Sequence, residues 1–174
     1  MKQCSSSCEL DCSGAGSCQG LEARCSADSS CSATCSNGHT CAYNFHSTEK
    51  PKSKFFGHWN LNCTGAFSCS GIDGQLSQGA LHCGGSFSCR SMNMHCKEGE
   101  FCQAYCTKVF SCQKDPSSNF PSVFTGHWNL DCTKYGTCQN IEATCAIGKT
   151  CTATCSGYQA CKGAKFVGNW IRKN

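Results

Sequence analysis

The chain is predicted to be an all-β, disulfide-rich protein: an irregular β-solenoid-like stack of short Cys-x5-Cys coils in three blocks, forming one repeat domain over residues 1–174. Three observations predict it. Of 174 residues, 22 are cysteine, and 20 of them fall into ten copies of the spacing Cys-x5-Cys. An even, dense cysteine count marks a fold held by cross-links. The residue two before the first cysteine is apolar in copy after copy: Leu10, Leu61, Leu81, Met94 and Leu130, or alanine at 23, 33, 104, 143 and 153. Apolar and Cys at i and i+2 share one face of a strand, so each copy reads as a very short strand followed by a stapled turn. The copies repeat on a larger scale, as stacked architectures do. No 3.6-residue apolar period persists, which excludes a helical fold.

In chain order, Cys4 and Cys8 stand outside the pattern and are natural partners for each other. The first block, 9–41, holds Cys12/Cys18, Cys25/Cys31 and Cys35/Cys41. A cysteine-free segment, 42–60, ends in Phe56-Gly57-His58-Trp59-Asn60. The second block, 61–112, opens with an additional coil, Cys63/Cys69, and a Gly-rich insert, then repeats the pattern as Cys83/Cys89, Cys96/Cys102 and Cys106/Cys112. Segment 113–129 ends in Phe124-Thr125-Gly126-His127-Trp128-Asn129, and the third block, 130–161, holds Cys132/Cys138, Cys145/Cys151 and Cys155/Cys161. The tail, 162–174, carries a third aromatic signature, Phe166-Val167-Gly168-Asn169-Trp170. Unequal advances between successive copies count against a strictly regular solenoid, and a pseudo-threefold arrangement of short strands is the alternative. Stacking allows bridges within a copy or between neighbours. Eleven intramolecular bridges are expected, mostly within each Cys-x5-Cys.

Leu, Ile, Val and Phe together number 23, or 13% of the chain, too few to offset chain entropy alone. Each bridge contributes roughly 2–3 kcal/mol by restricting the unfolded chain, so the cross-links replace the missing core. They also imply an oxidising, extracellular setting. No apolar stretch approaches a membrane span, and Met1-Lys2-Gln3-Cys4 has no secretory h-region, so a removed signal peptide or another export route is expected. The formal charge of +4 is mild. Its lysines cluster at 50–54 and near the C-terminus, which reads as a solvated face or a contact for acidic polysaccharide, and nucleic acid is not expected as a partner.

No metal or other cofactor is expected. Structural zinc sites favour Cys-x2–4-Cys knuckles, no Cys-x2-Cys occurs, and the Cys-x3-Cys pairs 31/35, 102/106 and 151/155 each fall between two five-spaced pairs and look like coil junctions. Nor is an enzyme expected: even pairing leaves no spare nucleophilic thiol, carboxylates form no recurring pair, and His39, His46, His82 and His95 are scattered. The sequon Asn62-Cys63-Thr64 is a poor acceptor, with a bridge-forming cysteine in its centre.

The recurring His58-Trp59 and His127-Trp128, with Trp170, are the candidate ligand or assembly contacts. Each Trp either packs as a lid on a block or stacks on a sugar ring, in which case repetition gives avidity. The third copy has Asn169 in place of histidine. The disulfide-laced coils also resemble, in outline, the beetle antifreeze proteins, whose flat Thr-x-Thr face is bisected by cysteine. Thr150-Cys151-Thr152 is the match, with Thr144-Cys145-Ala146, Thr154-Cys155-Ser156 and Thr34-Cys35-Ser36 as partial ones. Other coils place Asp11, Arg24, His82, His95, Tyr105 or Asp131 beside the cysteine, so the flat array is incomplete.

The ends are complementary: Gly168-Asn169-Trp170 followed by Leu10-Asp11-Cys12 would restore a sequence close to 126–132. The tail is therefore expected to close onto its own first block or to link molecules head to tail. The leading function is a secreted, non-enzymatic structural or surface-assembly protein. A lectin-like carbohydrate-binding module is the alternative, and an ice-binding protein comes third.

Overall fold

The structure, a computed structural model, describes residues 2–4, 7–26, 28–42, 52–114 and 122–174. It is an all-β parallel solenoid, as the spacing predicts. Among the described residues, fourteen strands form one continuous sheet folded into two ladders of parallel pairs. The first ladder runs β1 (Lys2–Cys4), β3 (Glu22–Cys25), the first half of β5 (Lys54–Cys63), the first half of β6 (Asp73–Cys83), β7 (Asn93–Cys96), β9 (Val123–Gly126), β11 (Glu142–Cys145) and β13 (Lys165–Val167). The second runs β2 (Glu9–Asp11), β4 (Cys31–Cys35), the second halves of β5 and β6, β8 (Cys102–Cys106), β10 (Trp128–Cys132), β12 (Cys151–Thr154) and β14 (Trp170–Lys173). Each ladder thus has eight rungs, and the stack runs without a break through the block boundaries.

The ten described bridges all join partners within a Cys-x5-Cys, with Cα–Cα distances of 5.8–6.1 Å. Cys8 is also disulfide-bonded, while the side chain of Cys4, its expected partner, lies outside what is described. Each copy is a short strand followed by a stapled turn, and these turns occupy two different places in the coil. Cys12–Cys18, Cys35–Cys41, Cys63–Cys69, Cys83–Cys89, Cys106–Cys112, Cys132–Cys138 and Cys155–Cys161 staple the turn that follows the second-ladder strand. Cys25–Cys31, Cys96–Cys102 and Cys145–Cys151 instead close the corner between the two strands of one rung. The uneven advances arise because neighbouring copies alternate between these corners. Each Cys-x3-Cys "junction" is a second-ladder strand with cysteine at both ends and a buried alanine between, as in Cys31–Cys35 and Cys102–Cys106.

The seven stapled turns share one backbone. The fourth residue after the first cysteine has positive φ (Gly16, His39, Phe67, Phe87, Phe110, Gly136, Gln159), as does the closing cysteine, at 51–57°. That left-handed geometry is costly for non-glycine residues, so other contacts must hold it. The closing cysteine N–H donates to the preceding rung, as from Cys69 to the Thr40 carbonyl (2.9 Å) and from Cys138 to that of Ser111 (3.1 Å). The residue before it bears a hydroxyl in six turns of seven. Five of these, on Thr40, Ser68, Ser88, Ser111 and Thr137, donate to the carbonyl three residues back at 2.6–2.8 Å. Stacked turns also align a column of rings: His39, Phe67, Phe87, Phe110, Tyr135 and Tyr158, with successive centroids 5.1–5.6 Å apart.

The core is layered. Two of the rungs whose corner is closed by a bridge carry small inward residues, Ala23 with Ala33 and Ala143 with Ala153, and the third sets Met94 with Ala104. Rungs without that bridge carry larger groups, Phe55, Trp59 and Leu61 in one, Leu76 and Leu81 in the next, and Phe124, Trp128 and Leu130 in a third. Larger and smaller layers together fill the interior at the close packing that proteins require.

One expectation about the ends is overturned. The tail does not close onto the first block, because β13 and β14 pair with β11 and β12 at one end of the stack while β1 and β2 pair with β3 and β4 at the other. Seven advances at about 4.8 Å place them roughly 34 Å apart.

Candidate functional site

The recurrent Gly-His-Trp is the short form of the corner between the two strands of a rung. Where five residues under a bridge make that corner in 97–101 and 146–150, a single residue, His127, makes it between β9 and β10. The chain can turn this sharply because Gly57, Gly126 and Gly168 have φ of 92–107°. A Cβ on Gly57 or Gly126 would overlap the carbonyl oxygen of Cys25 or Cys96 on the preceding rung.

Trp59 and Trp128 are fully buried. Each indole N–H donates to the carbonyl three residues back, Trp59 to Phe56 and Trp128 to Thr125, both at 2.8 Å. Each ring packs edge-on against the phenylalanine four residues before it, at 5.3 and 5.2 Å. Neither ring has a face open to a sugar, so the stacking role considered from sequence does not apply to these two. Trp170 repeats the geometry on the last rung, donating to Val167 at 3.0 Å, and is partly exposed.

The middle residues of the short corners do reach the surface. His127 Nε2–H donates to the Thr150 carbonyl at 3.1 Å, and its ring meets Phe101 edge-on at 4.9 Å. On the next rung but one, Asn169 donates through Nδ2 to Thr150 Oγ1 at 2.8 Å. The loop 146–150 is therefore braced from both sides, and asparagine serves where the other copies have histidine because either supplies the N–H. His58 lines an open depression with Asn60, Gln78 and Phe101.

The corners closed by Cys25–Cys31, Cys96–Cys102 and Cys145–Cys151 stand as ridges along one edge, and the short corners, those of β5 and β6 side by side and that between β9 and β10, lie in recesses between them. The recess between ridges 97–101 and 146–150 spans two rung advances, about 10 Å. It encloses about 500 Å³ over Gly126, with His95, Glu98, Thr144, Ile147 and Lys149 around it. Ile147 projects wholly into solvent at its lip. A second recess, of about 450 Å³, lies over Gly57 between Arg24, Phe56, Gln75, His95 and Lys97. There the Arg24 guanidinium sits 4.2 Å from the Phe56 ring centre and pairs with Glu22 at 2.9 Å. Sequence patterns missed these residues because they converge only through cross-rung register, for which no local spacing exists.

The other histidines serve neighbours within ladders. His39 stacks on Phe67, His82 on Tyr105 at 4.7 Å, and His95 Nδ1 lies 2.8 Å from Thr125 Oγ1; His46 lies outside the described residues. Of the basic run at 50–54, Lys52 pairs with Asp73 at 3.4 Å, Lys54 lies in register between Glu22 and Asp73, and 50 and 51 lie outside the described residues. Beside the cysteines, Ser32/Thr34 and Thr152/Thr154 are separated along the ladder by rungs bearing Asn60/Asn62, His82, Tyr105 and Asp131. The outward face is thus flat in backbone and irregular in side chains. Asn62 itself is exposed, next to the bridged Cys63.

In four places, Cys12/Cys18/Cys41, Cys35/Cys63/Cys69, Cys83/Cys89/Cys112 and Cys106/Cys132/Cys138, three sulfurs lie within 4.8 Å of one another. Every one is shared with a partner in a bridge, so the oxidised protein presents stacked disulfides there and not thiolates; no cysteine is free among the described residues. No protein-family model, curated protein or solved structure matches the chain.

Proposed function

We propose that the chain is a secreted, non-enzymatic structural protein: a stiff solenoid scaffold that functions by holding its shape outside the cell and presenting its repeated edge to extracellular polysaccharide. The observation that carries the reading is the placement of the bridges. Each described stapled turn is locked to its own rung, and buried apolar layers pack between the bridges, so rigidity is built in locally along the whole stack. Such a design gains little for catalysis and much for resistance to proteolysis and drying.

The test is a comparison of oxidised protein with protein whose bridges have been reduced and capped. The oxidised form should survive prolonged digestion by a broad-specificity protease, and the capped form should be degraded at once. Rapid degradation of fully bridged protein would remove the scaffold reading.

A carbohydrate partner is favoured by one specific feature, the recesses between ridges, where charged side chains such as Glu98 and Lys149 rim a largely apolar floor. Binding would use His58, His127 and the lining of the 97–101/146–150 recess, with Trp59 and Trp128 acting only as its buried foundation. A glycan array and sedimentation with insoluble polysaccharides test this. Binding that is abolished by Lys149→Ala and Glu98→Ala together, in protein that remains fully bridged, supports it; no retention on any polysaccharide refutes it.

A further inference from the structure

We infer that the stacked bridges form two thiol–disulfide exchange relays, through which one thiolate entering at the surface is passed from rung to rung. The four sulfur trios fall into two chains. Cys41 approaches Cys12 and Cys18 on the rung before it, and its partner Cys35 approaches Cys63 and Cys69 on the rung after it. In the same way Cys112 approaches Cys83 and Cys89, and its partner Cys106 approaches Cys132 and Cys138. The central bridges, Cys35–Cys41 and Cys106–Cys112, therefore each link two others. No trio joins Cys63–Cys69 to Cys83–Cys89, or Cys132–Cys138 to Cys155–Cys161, among the described residues.

Exchange proceeds when a thiolate attacks one sulfur of a disulfide and expels the other. A small external thiolate attacks the Cys18 sulfur, breaks Cys12–Cys18 and leaves a mixed disulfide on Cys18 and a thiolate on Cys12. The Cys12 thiolate attacks the Cys41 sulfur, forming Cys12–Cys41 and expelling the Cys35 thiolate. Cys35 then attacks Cys63 or Cys69 and expels the other as the new thiolate. Only the external thiol enters; each internal step forms one S–S bond and breaks one, with no net oxidation. The relays differ in access. Cys18 is partly exposed, whereas all six cysteines of the second relay are fully buried. The first relay is the one an external thiol can start, and its products are cross-links between rungs that the native protein lacks.

The test treats the intact oxidised protein with reduced glutathione below one equivalent, quenches with acid and an alkylating agent, and maps bridges by mass spectrometry after pepsin digestion. Expected are a glutathione adduct on Cys18, Cys12–Cys41 peptides, and later Cys35–Cys63 or Cys35–Cys69 peptides, with the second relay unchanged. A non-thiol phosphine reductant, with alkylating agent present throughout, should trap the Cys12 thiolate and suppress the cross-rung peptides. Adducts and free thiols confined to local pairs would overturn the inference. So would cross-links joining the two relays, since these require unfolding. A Cys35→Ser/Cys41→Ser variant that folds should still accept glutathione at Cys18 yet keep Cys63–Cys69 closed; opening of that bridge at the wild-type rate would also refute the relay.

Discussion

Gly126 and Gly99 have similar backbone angles, φ of 107° and 84°, and very different surroundings. A Cβ on Gly99 meets nothing within 4 Å, whereas on Gly126 it would overlap the backbone of Cys96. Gly99→Ala should therefore cost about 1 kcal/mol, the left-handed penalty alone. Gly126→Ala should cost about 3 kcal/mol or more, because a neighbouring rung must shift as well. Denaturant unfolding with all bridges intact measures both, and equal costs would show that the short corner is not tightly seated. Repetition makes Gly-His-Trp conspicuous in the sequence, and repetition alone cannot say whether the tryptophan faces sugar or core. The deciding fact is cross-rung contact: the glycine presses on a cysteine some thirty residues away, and the indole turns inward over the same corner.

Short and long corners hold each other in place. The ridge 146–150 is fixed by its bridge below and by His127 and Asn169 on either side. Removing both with His127→Ala and Asn169→Ala should leave the fold intact and open the ridge, raising tryptic cleavage after Lys149 by about fivefold for each hydrogen bond worth about 1 kcal/mol. Cleavage after Lys108, exposed in a stapled turn that neither side chain touches, should not change, and His127→Asn should behave as wild type if an N–H is all that is needed. Unchanged cleavage after Lys149 in the double variant would mean that the bridge alone sets the ridge. At this scale the strands are legible in the sequence, since the apolar-x-Cys alternation is local to each. The two kinds of Cys-x5-Cys are not separable that way, because both begin with an apolar residue two before the cysteine. The distinguishing mark is Cys-x3-Cys, a spacing that fits one five-residue strand as well as it fits a junction between coils.

Rungs in a solenoid contact only their neighbours, so stability is close to a sum along one axis. Deleting 165–174 removes β13 and β14 and uncovers Ala143 and Ala153 of the rung beneath. Amide exchange should then quicken in β11 and β12 and remain unchanged in β3 and β4; loosening at the far rungs would require a contact between the ends that the strand order excludes. The same linearity makes head-to-tail stacking of copies a question about one position. The inward column of the second ladder reads Leu10, Ala33, Leu61, Leu81, Ala104, Leu130 and Ala153, and then Arg172. The Arg172 guanidinium lies 5.3 Å from the Phe166 ring centre, over the end of the core. Stacking a second copy on this rung would enclose that charge beside Leu10 of the copy, at a cost of about several kcal/mol for a buried guanidinium without a carboxylate partner. Inward-pointing charge is a recognised guard on exposed strand edges. We therefore expect the chain to sediment as a monomer, and Arg172→Leu, which continues the Leu/Ala column across the junction, to form end-to-end species that grow with concentration. Lys173 would then face Asp11 of the next copy and favour that register. Filaments formed by the wild-type chain, or a variant that stays monomeric over the same concentrations, would show that Arg172 does not control the edge.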